Sequence, residues 1–269
     1  MIVALFTCDK HIEITKIAIA YYNSFLTFRI TVVGPKSVSK NFQGINVKFV
    51  GDEEVKGYEN LKNISQQFSY GYQWYLQQFL KLAFYIESGD DVLIIDGDTV
   101  ISQSVFENII QGKKGYYSAE KITQYNKLLI DSEIYLNPSK KSYICNFGFF
   151  ERRNSGFYTD NLSVFVDRLV KRVKDTQEKE GMRYSSMDFS EYQINGQISE
   201  RQKEKLLPLR FFRRADLLLQ KDLRIENLNL KILHNFFKSY DCISYEKDHK
   251  NSFIKSVLAE IYFLFRRSW

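Results

Sequence analysis

The chain has 269 residues, a formal net charge of +6, 44% apolar and 16% aromatic residues, and a pI near 9.0. That is enough apolar material for one large domain, or one domain with a small appendage, and with only 3 Pro, 13 Gly and no low-complexity stretch it excludes a disordered tail or a flexible inter-domain linker. The charge excess is modest and the basic pairs Arg152-Arg153, Arg213-Arg214 and Arg266-Arg267 are not interleaved with aromatics, so an anionic small molecule or surface is expected and nucleic acid is not.

Cys8, Cys145 and Cys242 are few, far apart and odd in number, against both a disulfide framework and a paired-cysteine zinc site. A reducing, cytoplasmic compartment is the expectation. Met1 runs directly into the apolar residues 2–6 with no basic region before them, which reads as a first strand and not as a signal peptide. No stretch of about 20 apolar residues predicts a membrane span.

Residues 2–6, 28–33 and 47–50 are short β-branched or aromatic runs, each followed by turn formers, and read as parallel strands. Between the first two, Ile14, Ile17, Ala18, Tyr21 and Tyr22 recur at helical spacing, so the chain opens with a strand–helix–strand unit. Such a unit leaves the C-terminal edge of its sheet open to a ligand, which makes Thr7 a candidate contact. A helix over 72–87 follows, with Tyr75, Phe79, Leu82, Ala83 and Ile86 as its apolar stripe. It stops at Ser88-Gly89, and Val92 to Ile95 then form an apolar run of the kind buried on both sheet faces. Further strands are expected near 115–119, 145–150 and 230–233, with a helix near 159–174.

The run from Val92 ends in Asp96-Gly97-Asp98. Two carboxylates one residue apart at the end of a buried strand are costly unless a cation neutralises them. Hard oxygen donors suit Mg²⁺ or Mn²⁺, which keep open positions for a diphosphate. The competing reading is an ordinary Asp-Gly turn.

Trp74-Tyr75-Leu76-Gln77-Gln78-Phe79-Leu80-Lys81-Leu82, then Asp96-Gly97-Asp98, then Phe189-Ser190-Glu191-Tyr192, resemble in order the boxes of a bacterial glycosyltransferase-like family from surface-polysaccharide loci. The resemblance implies a GT-A-like, Rossmann-type mixed α/β sheet flanked by helices. It implies a catalytic domain over about 1–245, divided near residue 120 into nucleotide-sugar and acceptor halves, with a C-terminal amphipathic helix over 246–269. It implies a metal-dependent hexosyltransferase-like enzyme that takes a nucleotide-sugar, a UDP-sugar first, to a glycan or lipid-linked glycan acceptor. Asp96 would contact metal or ribose and Asp98 the metal directly.

Other side chains carry two readings each. Lys81 is either a solvated helix-face lysine or an aid to the donor. Gln77 and Gln78 are adjacent and cannot share a helix face, so one points to the site while the other packs. Trp74 is core, or stacks on a sugar or base. His234, after the expected late strand, is either a third metal ligand or a hydrogen-bonded strand-end histidine. Glu191, with Asp188 next, is the candidate general base for the acceptor hydroxyl.

Asp96-Gly97-Asp98-Thr99-Val100 also resembles the first motif of haloacid dehalogenase phosphatases, in which Asp96 would be the nucleophile. It lies a third of the way along the chain, and no downstream acidic pair completes that site. A non-catalytic nucleotide-sugar-binding subunit is the remaining alternative. In the last residues Phe253, Val257, Leu258, Ile261, Leu264 and Phe265 recur at helical spacing before Arg266-Arg267 and Trp269. Such a helix either docks on the domain or lies on the anionic inner face of the plasma membrane.

Overall fold

The computed structural model describes residues 1–27, 29–67, 72–112, 115–118, 143, 145–158, 190–202, 206–212 and 224–245. The helix expected near 159–174, Asp188 and the C-terminal amphipathic stripe fall outside them. In chain order the elements are β1 (Ile2–Phe6), α1 (Ile12–Asn23), β2 (Ile30–Gly34), β3 (Val47–Gly51), α2 (Tyr58–Ser65), α3 (Tyr72–Ser88) and β4 (Val92–Asp96). There follow β5 (Thr99–Ile101), α4 (Gln103–Ile110), β6 (Gly115–Ser118), β7 (Phe147–Phe150), α5 (Glu191–Arg201), β8 (Leu206–Leu209), β9 (Phe211–Phe212), α6 (Leu230–Phe236) and β10 (Cys242–Ser244).

The central sheet has five strands in the order β3-β2-β1-β4-β7. β1 to β4 are parallel, and β7 runs antiparallel along β4, so the sheet is mixed. Strand alternation sends Val3, Leu5, Leu93 and Ile95 to one face and Ala4, Phe6, Val92 and Ile94 to the other. α1 covers the first face with Ile14, Ala18, Tyr21 and Tyr22, together with Val105, Phe106 and Ile109 of α4. α3 and α5 cover the second with Tyr75, Phe79, Leu82 and Tyr85, and with Tyr192, Ile194 and Ile198. Each such side chain withdrawn from water contributes about 1.5–3 kcal/mol, which fixes the helices against the sheet.

Two smaller sheets flank this core. β5, β10 and β9 form one, with β10 antiparallel to β5; β6 and β8 form the other. Beyond β10, the Tyr245 N–H donates to the Asp98 carbonyl at 2.9 Å, so the late part of the chain braces the turn after β4.

One element differs in kind from expectation. Residues 230–233 are not a strand but the start of α6. The alternation of Leu228, Leu230 and Ile232 imitates a strand, yet Leu233 and Phe236, three apart, are the residues turned into the core. The Asn229 side chain caps the helix by accepting from the Ile232 N–H at 3.2 Å. Among the described residues no helix is long and apolar enough to cross a membrane.

Candidate active site

Strand order reverses between β1 and β4, since β2 lies on one side of β1 and β4 on the other. In a sheet of this kind the crevice beyond the C-terminal ends of those two strands is the natural ligand site. Asp96 is the last residue of β4, paired in register with Phe6, the last of β1. Gly97 brings the two strand ends together: its N–H donates to the Phe6 carbonyl at 2.6 Å. A Cβ there would stand 2.7 Å from that oxygen and 2.8 Å from Thr7 Cα, so only glycine fits. Thr15 of α1 ties the same corner, with its hydroxyl 2.8 Å from the carbonyl oxygens of His11 and Gly97 and 2.7 Å from the Thr7 hydroxyl.

Behind the turn lies an ionic cluster. Lys81 Nζ is 2.5 Å from Asp96 Oδ1 and 2.8 Å from Glu191 Oε1, and stands 4.7 Å from the centre of the Tyr192 ring. The Tyr192 hydroxyl donates to the same Asp96 Oδ1 at 2.7 Å. The Gln78 amide, turned to satisfy both of its ends, donates to Glu191. Lys81 and Glu191 are fully buried, whereas the Asp96 side chain keeps 23% exposure. One Asp96 oxygen is thus held from behind while the group still meets solvent. Asp98 is buried and its Oδ1 accepts from Thr99 Oγ1 at 2.8 Å.

Burial on its own would lower the Lys81 pKa, but the charges of Asp96 and Glu191 outweigh it and raise it above the ordinary lysine value. Burial, reinforced by the Asp96 charge, lifts the Glu191 carboxyl above the usual range despite Lys81. Burial and then the charges of Asp96 and Glu191 push the Tyr192 phenol well up, so it stays a hydrogen-bond donor. Lys81 therefore remains a cation at every working pH.

The sequence-predicted residues fall into place unevenly. The three boxes meet in this cluster: Gln78 and Lys81 from the first, Asp96 from the second, Glu191 and Tyr192 from the third. Lys81 is not solvated; its ammonium is held by two carboxylates. Glu191, the expected general base, is fully buried and paired with Lys81 at 2.8 Å. Gln78 packs beside it, and Gln77 lines a separate cavity, the division expected of neighbours on a helix.

His234, expected after a late strand, sits on a helix instead. It lies on α6 with its ring 5.4 Å from that of Tyr21 and its Nδ1 2.7 Å from the Leu230 carbonyl oxygen. Among the described residues no group of three or more His, Cys, Asp or Glu side chains could hold a metal. Asp96 and Asp98 offer two hard-oxygen carboxylates, a pair that would suit a cation such as Mg²⁺ completing its shell with water and phosphate oxygens.

The cavity, of about 680 Å³, opens at the C-terminal ends of β1, β2 and β3. Its wall includes Thr7, the residue against which Gly97 packs, and so adjoins the aspartate turn. Tyr58, Tyr72 and Trp74 give it aromatic surface, Asp52 a carboxyl, and Cys8 and His11 a thiol beside an imidazole at 3.6 Å. The Thr7 hydroxyl faces Thr15. Trp74 packs on the core and also lines this wall. Tyr192, Asp52 and the Cys8–His11 pair escaped the sequence reading; only Tyr192 carried a signal, as the last residue of the third box.

No family model matches the sequence, and no curated protein matches it. Solved structures do. The mouse xyloside xylosyltransferase 1 apo form is similar at 10% identity over 93% of this chain and 99% of that one, with a TM-score of 0.49. The bifunctional glycosyltransferase WbbM is similar at 12% identity over the whole of this chain and 51% of that one, at 0.44. The galactosyltransferase LgtC, in complex with donor and acceptor sugar analogues, is similar at 11% identity over the whole of this chain and 96% of that one, at 0.47.

Proposed function

We propose that the protein is a metal-dependent glycosyltransferase that transfers a sugar from a nucleotide-sugar, a UDP-sugar first, to a glycan or lipid-linked glycan acceptor in bacterial surface-polysaccharide synthesis. The observation that carries this reading is the place of Asp96 and Asp98: two carboxylates on a glycine-tight turn at the point where strand order reverses. A divalent cation held there supplies Lewis-acid stabilisation of the departing nucleoside diphosphate.

The chain's own groups have separate tasks. Asp98, braced by Thr99 and by Tyr245 through its backbone, offers the cation a fixed carboxylate. Asp96, held at one oxygen by Lys81 and Tyr192, would give its other oxygen to the cation. The adjoining cavity takes the nucleoside, with Tyr58, Tyr72 and Trp74 as stacking surface and Asp52 as an acceptor for base or ribose donors. Residues up to about 120 then form the donor half, and those beyond it the acceptor half.

The test is incubation of the protein with Mn²⁺ and a panel of UDP-, GDP- and CMP-sugars, with an aryl phosphate alongside, followed by assay of released sugar and phosphate. Release of sugar from one nucleotide class, abolished by EDTA, is the expected result. Release of phosphate from the aryl phosphate alone would establish a phosphatase, and binding of a nucleotide-sugar without turnover would establish a non-catalytic subunit.

A further inference from the structure

A buried cation lies beside the aspartate turn. Lys81 lies on the inner side of Asp96, at 2.5 Å from Oδ1, with 1% of its side chain exposed. A lysine so placed has no water to screen it, and its charge is felt at the outer side of the same carboxylate. Glu191, at 2.8 Å from the ammonium and fully buried, draws part of that charge inward. The Tyr192 hydroxyl takes up further acceptor capacity of Asp96 Oδ1. Asp96 before ligand arrives is therefore a carboxylate already paired with a buried cation.

We infer that Lys81 is an internal counter-ion that keeps the Asp96–Asp98 turn a weak site for a free divalent cation, so that metal is held tightly only when a nucleoside diphosphate brings its own negative charge. This rests on the metal-dependent reading above. Cation and diphosphate then bind with positive coupling, and by reciprocity each strengthens the other by the same factor. Lys81 acts through Asp96 and is a positioning residue.

The sign of two substitutions tests this. Glu191→Gln keeps the shape and hydrogen bonds of the cluster but releases the whole Lys81 charge onto Asp96; Lys81→Met combined with Glu191→Gln removes the cation together with its inner partner. Mn²⁺ binding is read from the free-ion electron paramagnetic resonance signal, with and without UDP, on proteins whose circular dichroism matches wild type. Glu191→Gln is expected to weaken Mn²⁺ binding several-fold. The double variant is expected to bind Mn²⁺ on the order of tenfold more tightly than wild type, with a smaller enhancement by UDP. A folded double variant that binds Mn²⁺ no better than wild type overturns the inference, since a merely structural cluster would lose affinity in both. So does Glu191→Gln with unchanged or tighter binding, a result readable even if the double variant does not fold. Wild-type protein that binds no Mn²⁺ with UDP present defeats the metal reading itself, and this inference with it.

Discussion

Gly97→Ala places one methyl group where β1 and the aspartate turn touch. The new Cβ would lie 2.7 Å from Phe6 O and 2.8 Å from both Thr7 Cα and Thr7 Cβ, whereas ordinary contact begins near 3.4 Å, so strand end and turn must separate by about 0.6–0.7 Å. Two of those atoms are backbone, which rules out relief by a rotamer change. Overpacking of this kind costs about 1–3 kcal/mol, and loss of the Gly97 N–H to Phe6 O bond about 1 kcal/mol more. The expected total is a loss of about 2–4 kcal/mol in urea unfolding, together with weakened Mn²⁺–UDP binding as Asp96 and Asp98 shift. Gly156→Ala is the control: nothing lies within 4 Å of its Cβ, and alanine there should be neutral or slightly stabilising. Gly97→Ala with wild-type stability and wild-type metal binding would refute the claim that this close approach builds the site.

Two further predictions concern the cavity. Burial and the neighbouring Glu53 charge raise the Asp52 carboxyl from 3.8 to about 7, so ionising it costs stability that accumulates as pH rises from about 4 to 7 and is constant above. Asp52→Asn should therefore be neutral near pH 4 and stabilising by about 1–2 kcal/mol near pH 8, after discounting for partial exposure; an equal difference at both pH values would contradict the assignment. Burial opposes ionisation of Cys8, but the His11 imidazole and the backbone N–H groups of Lys10 and His11 outweigh it and hold the thiol below its ordinary range. Iodoacetamide at neutral pH should label Cys8 before the buried Cys145 and Cys242, more slowly with Mn²⁺–UDP bound; peptide mapping that shows uniform labelling, or no protection, would contradict it.

The sequence made the framework legible where pattern and packing agreed. The run from Val92 to Ile95 is buried on both faces, and the 72–87 helix appears within one residue of its expected end. Gln78 and Lys81 were not legible as core, because a polar side chain on a helix is buried only if a distant partner satisfies it, and here that partner is Glu191, 110 positions further on. The burial of Glu191 was hidden for the same reason, since it follows from the pairing with Lys81. The segment at 230–233 misled because its local alternation is strand-like, while its helix is decided by the Asn229 cap and by the packing of Leu233 and Phe236. Asp52, Cys8 and His11 carry no motif, and only the ends of the parallel strands bring them into one cavity.

Calorimetric titration of UDP into the protein, with Mn²⁺ and then with EDTA, for wild type and for Asp98→Asn, tests the central claim most directly. Asn keeps the shape of the side chain and removes the ligating charge. UDP binding by wild type that requires Mn²⁺, and that Asp98→Asn loses while its circular dichroism stays unchanged, is the predicted result. UDP bound equally well in EDTA, or by Asp98→Asn as by wild type, would contradict a metal-dependent nucleotide site at Asp96-Gly97-Asp98.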